Sequence, residues 1–384
     1  MDVIVLAGGT GKRLLPLTRY TPKPFLRIAG KQLYRYSIDQ LSNIKSNIER
    51  AVLVIPPSTG KSVEDLPEWM FSVEQIGYGI EGGIATGLKA LDGGSQEVII
   101  SFTGYLAWPE DMVRQTLDFY SVSGYQVVMA IAPVATGVET YGFVKTGVMG
   151  RVEELREEPE EEWLSGRGYV FAGVMIGDRK ALIELAKEGY IAGLNNLAKR
   201  GLLGATIWGG EWAEIGYPWD LLEVPNILFK SKPTMISPSA TITRTAIITG
   251  RVYIGANAYI GDNAIVKGPA YVGRNARIGD GAVIGPGSLI EDGAVIGPNC
   301  VVESSVVMEG AFVSAISHIE KSIIGEGAVI KSLSVLEAGE PRELPERLQG
   351  VAKFMPKKPM LGAIIAPRVQ LGPRAYHGYG EIIE

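Results

Sequence analysis

The chain of 384 residues contains one cysteine, Cys300, and two histidines. A single thiol forms no internal disulfide, and this set cannot supply a cysteine-based zinc site or a histidine-rich metal centre. No apolar run approaches the roughly 20 residues that span a bilayer. The first residues lack the basic-then-apolar pattern of a secretory signal. Together these absences predict a cytoplasmic protein with no membrane partner. Positive charge is also in short supply. Lys and Arg number 37 against 42 Asp and Glu, and the net charge of −5 argues against nucleic acid as a partner. What is present is a globular composition, 46% hydrophobic and 21% charged, on a chain too long for one ordinary core. Two domains are expected, at 1–228 and 229–384.

The first part alternates apolar runs with helical stretches. Strands are predicted at 3–6, 51–55, 97–102, 126–131, 170–176 and 204–208, and helices at 33–47, 82–91, 110–121, 179–188 and 191–200. This alternation predicts an α/β layer structure with a mostly parallel sheet, whose ligands bind at the carboxyl ends of the strands.

The second part keeps a different period. From Ile236 to Val302 every sixth residue is aliphatic, twelve times in succession. A small residue usually follows four places later, as at Ala258, Ala264, Ala270 and Cys300, and glycine often follows the aliphatic one, as at Gly255, Gly273 and Gly285. A strict hexapeptide repeat predicts a left-handed parallel β-helix, with aliphatic side chains stacked inside and small ones at tight corners. The period breaks after Met308, returns at Ile324 and Ile330, and dissolves near 337–360 into a segment rich in Pro, Glu and Lys, read as a loop excursion. Ile365 and Leu371 restore it, and His377 falls on the next position, where a structural role is expected.

The stretch from Leu6 to Pro24 carries the most chemistry. Gly8, Gly9 and Gly11 follow the first strand and let backbone N–H groups approach an anion. Arg13 and Lys23 add fixed positive charge. A strand, a glycine loop and cations are the usual means of gripping nucleotide phosphates. The run Gly8-Gly9-Thr10-Gly11-Lys12-Arg13-Leu14, then Pro16-Leu17-Thr18, then Pro22-Lys23-Pro24, resembles the signature of the sugar-phosphate nucleotidylyltransferases. With a β-helix behind it, the chain is similar to the bifunctional N-acetylglucosamine-1-phosphate uridylyltransferase/acetyltransferases and to the mannose-1-phosphate guanylyltransferases. The resemblance implies a Rossmann-like first domain. It also implies transfer of a nucleotidyl group from a nucleoside triphosphate to a sugar 1-phosphate, with Mg²⁺ as cofactor and pyrophosphate leaving. By resemblance, Arg13 would hold the β- and γ-phosphates and Lys23 would bridge the reacting phosphates. The backbone of Leu6, Ala7, Gly8 and Gly9 would face base and ribose. Gln75 and Gly77 match a base-recognition segment. Gly142, Glu157 and Ala172, the last with Gly173, match sugar-binding positions.

Several departures from the family pattern bear on turnover. The family's Gly-Asp, whose Asp holds the catalytic magnesium, corresponds to Gly104-Tyr105, and a tyrosine is no hard anionic ligand at neutral pH. The second metal carboxylate corresponds to Glu214, one methylene longer than the family's Asp. The lysine that pairs with the sugar phosphate corresponds to Glu158, an asparagine beside the sugar to Phe171, and a threonine of the base segment to Tyr78. Glu110 and Asp111, just beyond Tyr105, are candidate replacement carboxylates.

In the β-helix, Ser317-His318 resembles the Ser-His pair of the bifunctional enzymes, in which the histidine is general base for acetyl transfer from acetyl-CoA. Three readings therefore stand. The chain is a nucleotidylyltransferase, or a nucleotide-binding paralogue that regulates or scaffolds an active partner, or an acetyltransferase acting through His318. The β-helix is equally read as an assembly element, giving a homo-oligomer (a trimer) or a hetero-oligomer.

Overall fold

The computed structural model describes residues 1–57, 63, 66–133, 142–156, 168–229, 231–340 and 360–384. The chain divides into two compact units. The first comprises Met1–Thr10, Pro22–Phe25 and Leu33–Glu214, and the second Gly11–Thr21, Leu26–Gln32 and Ile215–Glu384. The glycine-rich signature is therefore shared between them, with its first part in one and its middle in the other.

Up to Glu214 the strands are β1 (Asp2–Leu6), β2 (Arg27–Ile28), β3 (Lys31–Gln32), β4 (Arg50–Ile55), β5 (Met70–Glu74), β6 (Glu97–Phe102), β7 (Tyr105–Trp108), β8 (Val127–Pro133), β9 (Phe143–Thr146), β10 (Val152–Arg156), β11 (Tyr169–Asp178), β12 (Leu203–Ile207) and β13 (Glu211–Glu214). Among the described residues the helices of the first unit are α1 (Leu33–Ser42), α2 (Gly79–Ala90), α3 (Met112–Ser123), α4 (Arg179–Glu188) and α5 (Tyr190–Lys199). Its main sheet runs β10-β9-β11-β6-β1-β4-β5, with β8 on β11 and β12 on β8. Strands β5, β4, β1 and β6 are mutually parallel. β1, β4 and β6 read as nearly continuous apolar runs because both of their faces are covered, whereas β5, at the edge, is partly exposed. Alternate residues of β1 serve opposite cores: Ile4 packs with Ile84 and Leu88 of α2, and Val3 and Val5 with Ile38 and Leu41 of α1. β11 joins β6 antiparallel, so the parallel character is confined to the centre and to the β8–β12 pair.

The second unit contains the repeat. Its strands stack in three sheets of eight, seven and seven, each coil parallel to the next, as in a left-handed β-helix. Ile254, Val272 and Ile290 lie in register on one sheet, and Ile260, Ile278 and Ile296 on another. These inward side chains are fully buried, with Ala258, Ala264, Ala276 and Cys300 among them at the corners.

The expected break after Met308 is not a break in the fold. Ile290 pairs with Val307, Ile296 with Val313 and Val302 with Ile319, so the stack continues in coils one residue shorter. The lost residue comes out of two corners, at Ser304-Ser305 and Lys321-Ser322. There Ser304 and Lys321 take positive φ, and Ser305 Oγ accepts from Ser322 N at 3.1 Å across coils. Ile324 then pairs with Ile365, Ile330 with Leu371 and Leu336 with His377, across an excursion whose residues 341–359 lie outside the described set.

The hairpin β2–β3 also belongs to the second unit. Its two turn residues, Ala29 and Gly30, have φ of 50° and 74°. Both turn amides donate to one buried carboxylate, Ala29 N to Glu291 Oε1 at 2.5 Å and Gly30 N to Oε2 at 2.9 Å. Glu291 occupies the place after the inward aliphatic residue where neighbouring coils have Gly273, Gly279, Gly285 and Gly297. Burial pushes its carboxyl up to about 8, against the two amide donors, which favour the ionised form. Among the described residues no helix is long and apolar enough to cross a membrane.

Candidate functional site

The carboxyl ends of β1, β4 and β5 lie at one edge of the parallel block, and the glycine turn starts there. Ala7 N donates to Val54 O at 2.8 Å and Gln75 N to Ile55 O at 2.8 Å, which brings Gln75 beside the turn. The approach is close: a Cβ on Gly8 would lie 1.7 Å from Gln75 Oε1, and one on Gly83 would lie 3.0 Å from Leu6 Cδ2. Gln75 Nε2 donates to Gly79 O at 2.9 Å. Gly77 has φ 86°, and a Cβ on Gly82 would lie 2.9 Å from its carbonyl carbon, so this turn folds back on the first turn of α2 only because both residues are glycine. Leu6, Ala7, Gly8, Gly9, Gln75 and Gly77 are thus gathered at one place, with the N-terminus of α2 opening beside them. Tyr78 precedes that helix and is 94% exposed.

The middle of the signature lies in the second unit. Gly11 has φ 78°, and Thr18 Oγ1 closes the segment by donating to Gly11 O at 2.7 Å. Arg13 is exposed, with its guanidinium carbon 5.3 Å from the centre of the Tyr217 ring. That ring is stacked on Trp219 at 4.8 Å, and the backbone is pinned by Asp220, whose Oδ2 accepts from Gly216 N at 2.7 Å and Tyr217 N at 2.6 Å. Lys23, in the first unit, opens a single helical turn over Lys23–Phe25 and is half-buried.

The carboxylate end is different in kind. β7 and β13 pair antiparallel with Tyr105 opposite Glu214, and Glu214 is only 5% exposed. Tyr105 packs within an aromatic cluster. Its ring centre lies 5.8 Å from Phe171, 6.3 Å from Phe102 and 6.2 Å from Trp212, and Phe102 lies 4.9 Å from Phe171. Gly173, at φ 92°, admits the Tyr105 ring, since a Cβ there would lie 2.3 Å from Tyr105 Cγ. Ala172 O accepts from Trp212 Nε1 at 3.2 Å, and Gly142 O from Phe171 N at 3.0 Å. Ala172 and Gly142 are therefore brought beside the aromatic cluster. Glu157 and Glu158 lie outside the described residues.

The replacement carboxylates do not reach this point. Glu110 and Asp111 follow Trp108, at the end of β7 that pairs with Glu211. That end lies three steps along the strand from Tyr105, about 10 Å. Among the described residues no group of three His, Cys, Asp or Glu side chains gathers as a metal site. One carboxylate opposite a phenol inside an aromatic cluster does not fit a hard divalent cation, which requires several oxygen ligands.

His318 lies on a regular strand of the β-helix, in register with Val301 and Val335, and not in an interruption. Ser317 before it is a buried corner residue whose Oγ accepts from Ser334 N at 3.3 Å, part of the ladder between coils. Nearby, Glu337 accepts from Tyr376 and from Tyr379 Oη, the latter at 3.0 Å, and these donors hold its carboxyl below the usual range. His377 Nδ1 lies 2.9 Å from Glu381 Oε2, a local pairing on the last coil.

Sequence reading missed Tyr217 and Glu291. The second had a signal, a glutamate where the hexads otherwise place glycine. The first had none, because the Arg13–Tyr217 approach joins positions about 200 residues apart.

Comparison with known proteins agrees with this fold. Residues 2–230 match the family model described as nucleotidyl transferase, and residues 266–374 match that of the GMPPB C-terminal domain. A bifunctional protein GlmU from Methanococcus maripaludis is 28% identical over 271 residues, covering 66% of this chain and 60% of that protein. A mannose-1-phosphate guanyltransferase beta-B from Xenopus laevis is 24% identical over 235 residues, covering 58% and 63%. The chain thus spans about three-fifths of the length of the curated relatives it matches. A solved structure titled as a putative glucose-1-phosphate thymidylyltransferase from Bacillus anthracis shares the fold at 20% identity and a TM-score of 0.50, over 58% of this chain and 92% of that one. With more than half of its length matched by one family model, the chain belongs to the nucleotidyl transferase family.

Proposed function

We propose that the chain binds a nucleoside triphosphate, or the corresponding nucleotide sugar, and turns it over slowly or not at all. In this reading the glycine turn and Gln75 take the nucleoside, and Arg13 and Lys23 take the phosphates. The sugar 1-phosphate would lie toward Gly142 and Ala172. The β-helix would serve assembly, with copies of itself or with an active relative, and acetyl transfer is not part of the reading.

The observation that carries this proposal is Tyr105, packed among Phe102, Phe171 and Trp212 opposite a single buried carboxylate, Glu214. Attack of a sugar phosphate on the α-phosphorus is accelerated mainly by positioning and by neutralising charge. A phenol in place of one metal carboxylate and Glu158 in place of a lysine remove two such contacts, each worth about 2–4 kcal/mol of transition-state stabilisation.

The test combines two assays on the purified chain. Each nucleoside triphosphate with Mg²⁺ and a panel of sugar 1-phosphates should release pyrophosphate at least about a thousandfold more slowly than the roughly 1–10³ per second typical of enzymes. At least one triphosphate or nucleotide sugar should raise the melting temperature, and Lys23→Ala should abolish that rise. Protein that none of these ligands stabilises would defeat the proposal.

A further inference from the structure

We infer that Arg368, in the last coils of the β-helix, is a positioning residue for the phosphate-binding arginine. The inference rests on the reading that Arg13 meets the terminal phosphates of the nucleotide. Gly11–Thr21 pack with the second unit, so Arg13 is carried by the unit that contains the β-helix. Leu14 and Leu17 are fully buried and Thr18 closes on Gly11, so the segment moves as one piece.

Side-chain contacts hold it to its own unit. Arg13 lies over Tyr217. Arg19 Nη2 meets Glu384 Oε2 at 2.5 Å, an exposed ion pair worth little in water. Arg368 lies over Tyr20, with its guanidinium carbon 4.4 Å from the ring centre. At that distance the Arg368–Tyr20 pair is the closer of the two cation–π contacts.

The backbone at Arg368 makes the placement informative. Its φ is 65°, in the left-handed region that disfavours a long side chain. It stands three residues after the inward Ile365. The same corner of earlier coils has Asn257 and Asn275, at φ of 57° and 56°, and then Gly293, Gly310 and Gly327 at 64–68°. Asparagine and glycine adopt that conformation with less strain than arginine, so the corner itself does not require the long side chain. What arginine adds is a planar cation reaching Tyr20, in the segment that carries Arg13.

Arg368→Asn removes the cation and gives the corner a residue that earlier coils use, so the fold should be unharmed. Titration calorimetry of the full chain should show triphosphate affinity falling about three- to tenfold, with affinity for the matching nucleoside monophosphate unchanged. Tyr20→Leu should do the same and Tyr20→Phe should not. In an Arg13→Ala background, Arg368→Asn should cause no further loss, because it acts through Arg13. Unchanged triphosphate affinity in Arg368→Asn, or a loss that simply adds to that of Arg13→Ala, would overturn the inference. If wild-type protein binds no triphosphate, the reading of Arg13 beneath it fails instead.

Discussion

The glycine turn after β1 and the β7–β13 ladder belong to the same α/β unit but differ in what fills them. At the turn the space is kept by absent side chains: Gly8 lies against Gln75, and Gly77 against Gly82. The surroundings there are main chain and the first turn of α2, which carries Glu81. At the ladder the space is taken by rings, and one buried carboxylate remains. Binding and turnover draw on different parts of such a site. A turn built from backbone can continue to bind after the charged groups that drive the reaction have changed.

The most forceful way to break this comparison is to give the ladder back its carboxylate. Tyr105→Asp removes a ring from the aromatic cluster and sets an acid opposite Glu214. Unfolding stability should fall by about 2–4 kcal/mol, and Mg²⁺ should restore part of it by bridging the two carboxylates. Denaturant titrations with and without Mg²⁺ check both parts. A variant as stable as wild type would mean that the cluster does not fill the site.

A second buried carboxylate sharpens the contrast. Glu291 accepts from two amides, Ala29 N and Gly30 N. With its carboxyl raised to about 8 by burial, the folded chain holds that proton more tightly than the unfolded chain does. Stability should therefore be greatest below the ordinary carboxylate pKa and fall as pH rises toward 8, by at most about 1.4 kcal/mol per pH unit. Glu291→Gln should flatten that slope. Parallel pH–stability curves for the two proteins would show that Glu291 does not titrate in this window.

The smallest effect belongs to the glycine turn. The atom a Gly8 Cβ would strike is the far end of a flexible side chain, Gln75 Oε1. Gly8→Ala should therefore cost less than about 1 kcal/mol in stability, while weakening nucleotide binding roughly tenfold, or about 1.4 kcal/mol, by displacing Gln75. Thermal shifts with and without triphosphate separate the two effects.

How much of this was legible in the sequence differs by region. The hexads announced the β-helix because one position in six points inward in every coil, so a local pattern repeats the global one. The shorter coils at Ser304-Ser305 and Lys321-Ser322 were not legible, since removing one corner residue leaves the inward stack intact but destroys the period. In the first unit the parallel strands β1, β4 and β6 and their helices could be read from apolar runs, whereas the half-exposed β5 could not. The pairing of β7 with β13 depends on contacts across about 100 residues and could not. Tyr105, Phe171 and Glu214 stood out singly against the family pattern. That Phe102 and Trp212 join them in one cluster emerged only from the fold. Likewise Arg13 was legible as a cation after a glycine loop, but not as a passenger of the second unit.

The central claim is a site that binds its nucleotide and turns it over slowly or not at all. It is tested most directly by pyrophosphate release from the purified chain given Mg²⁺, each nucleoside triphosphate and the sugar 1-phosphate panel, at concentrations where a thermal shift shows the triphosphate bound. The account predicts release at least a thousandfold below the 1–10³ per second typical of enzymes, roughly the loss of two charge contacts. Release within that typical range would contradict it.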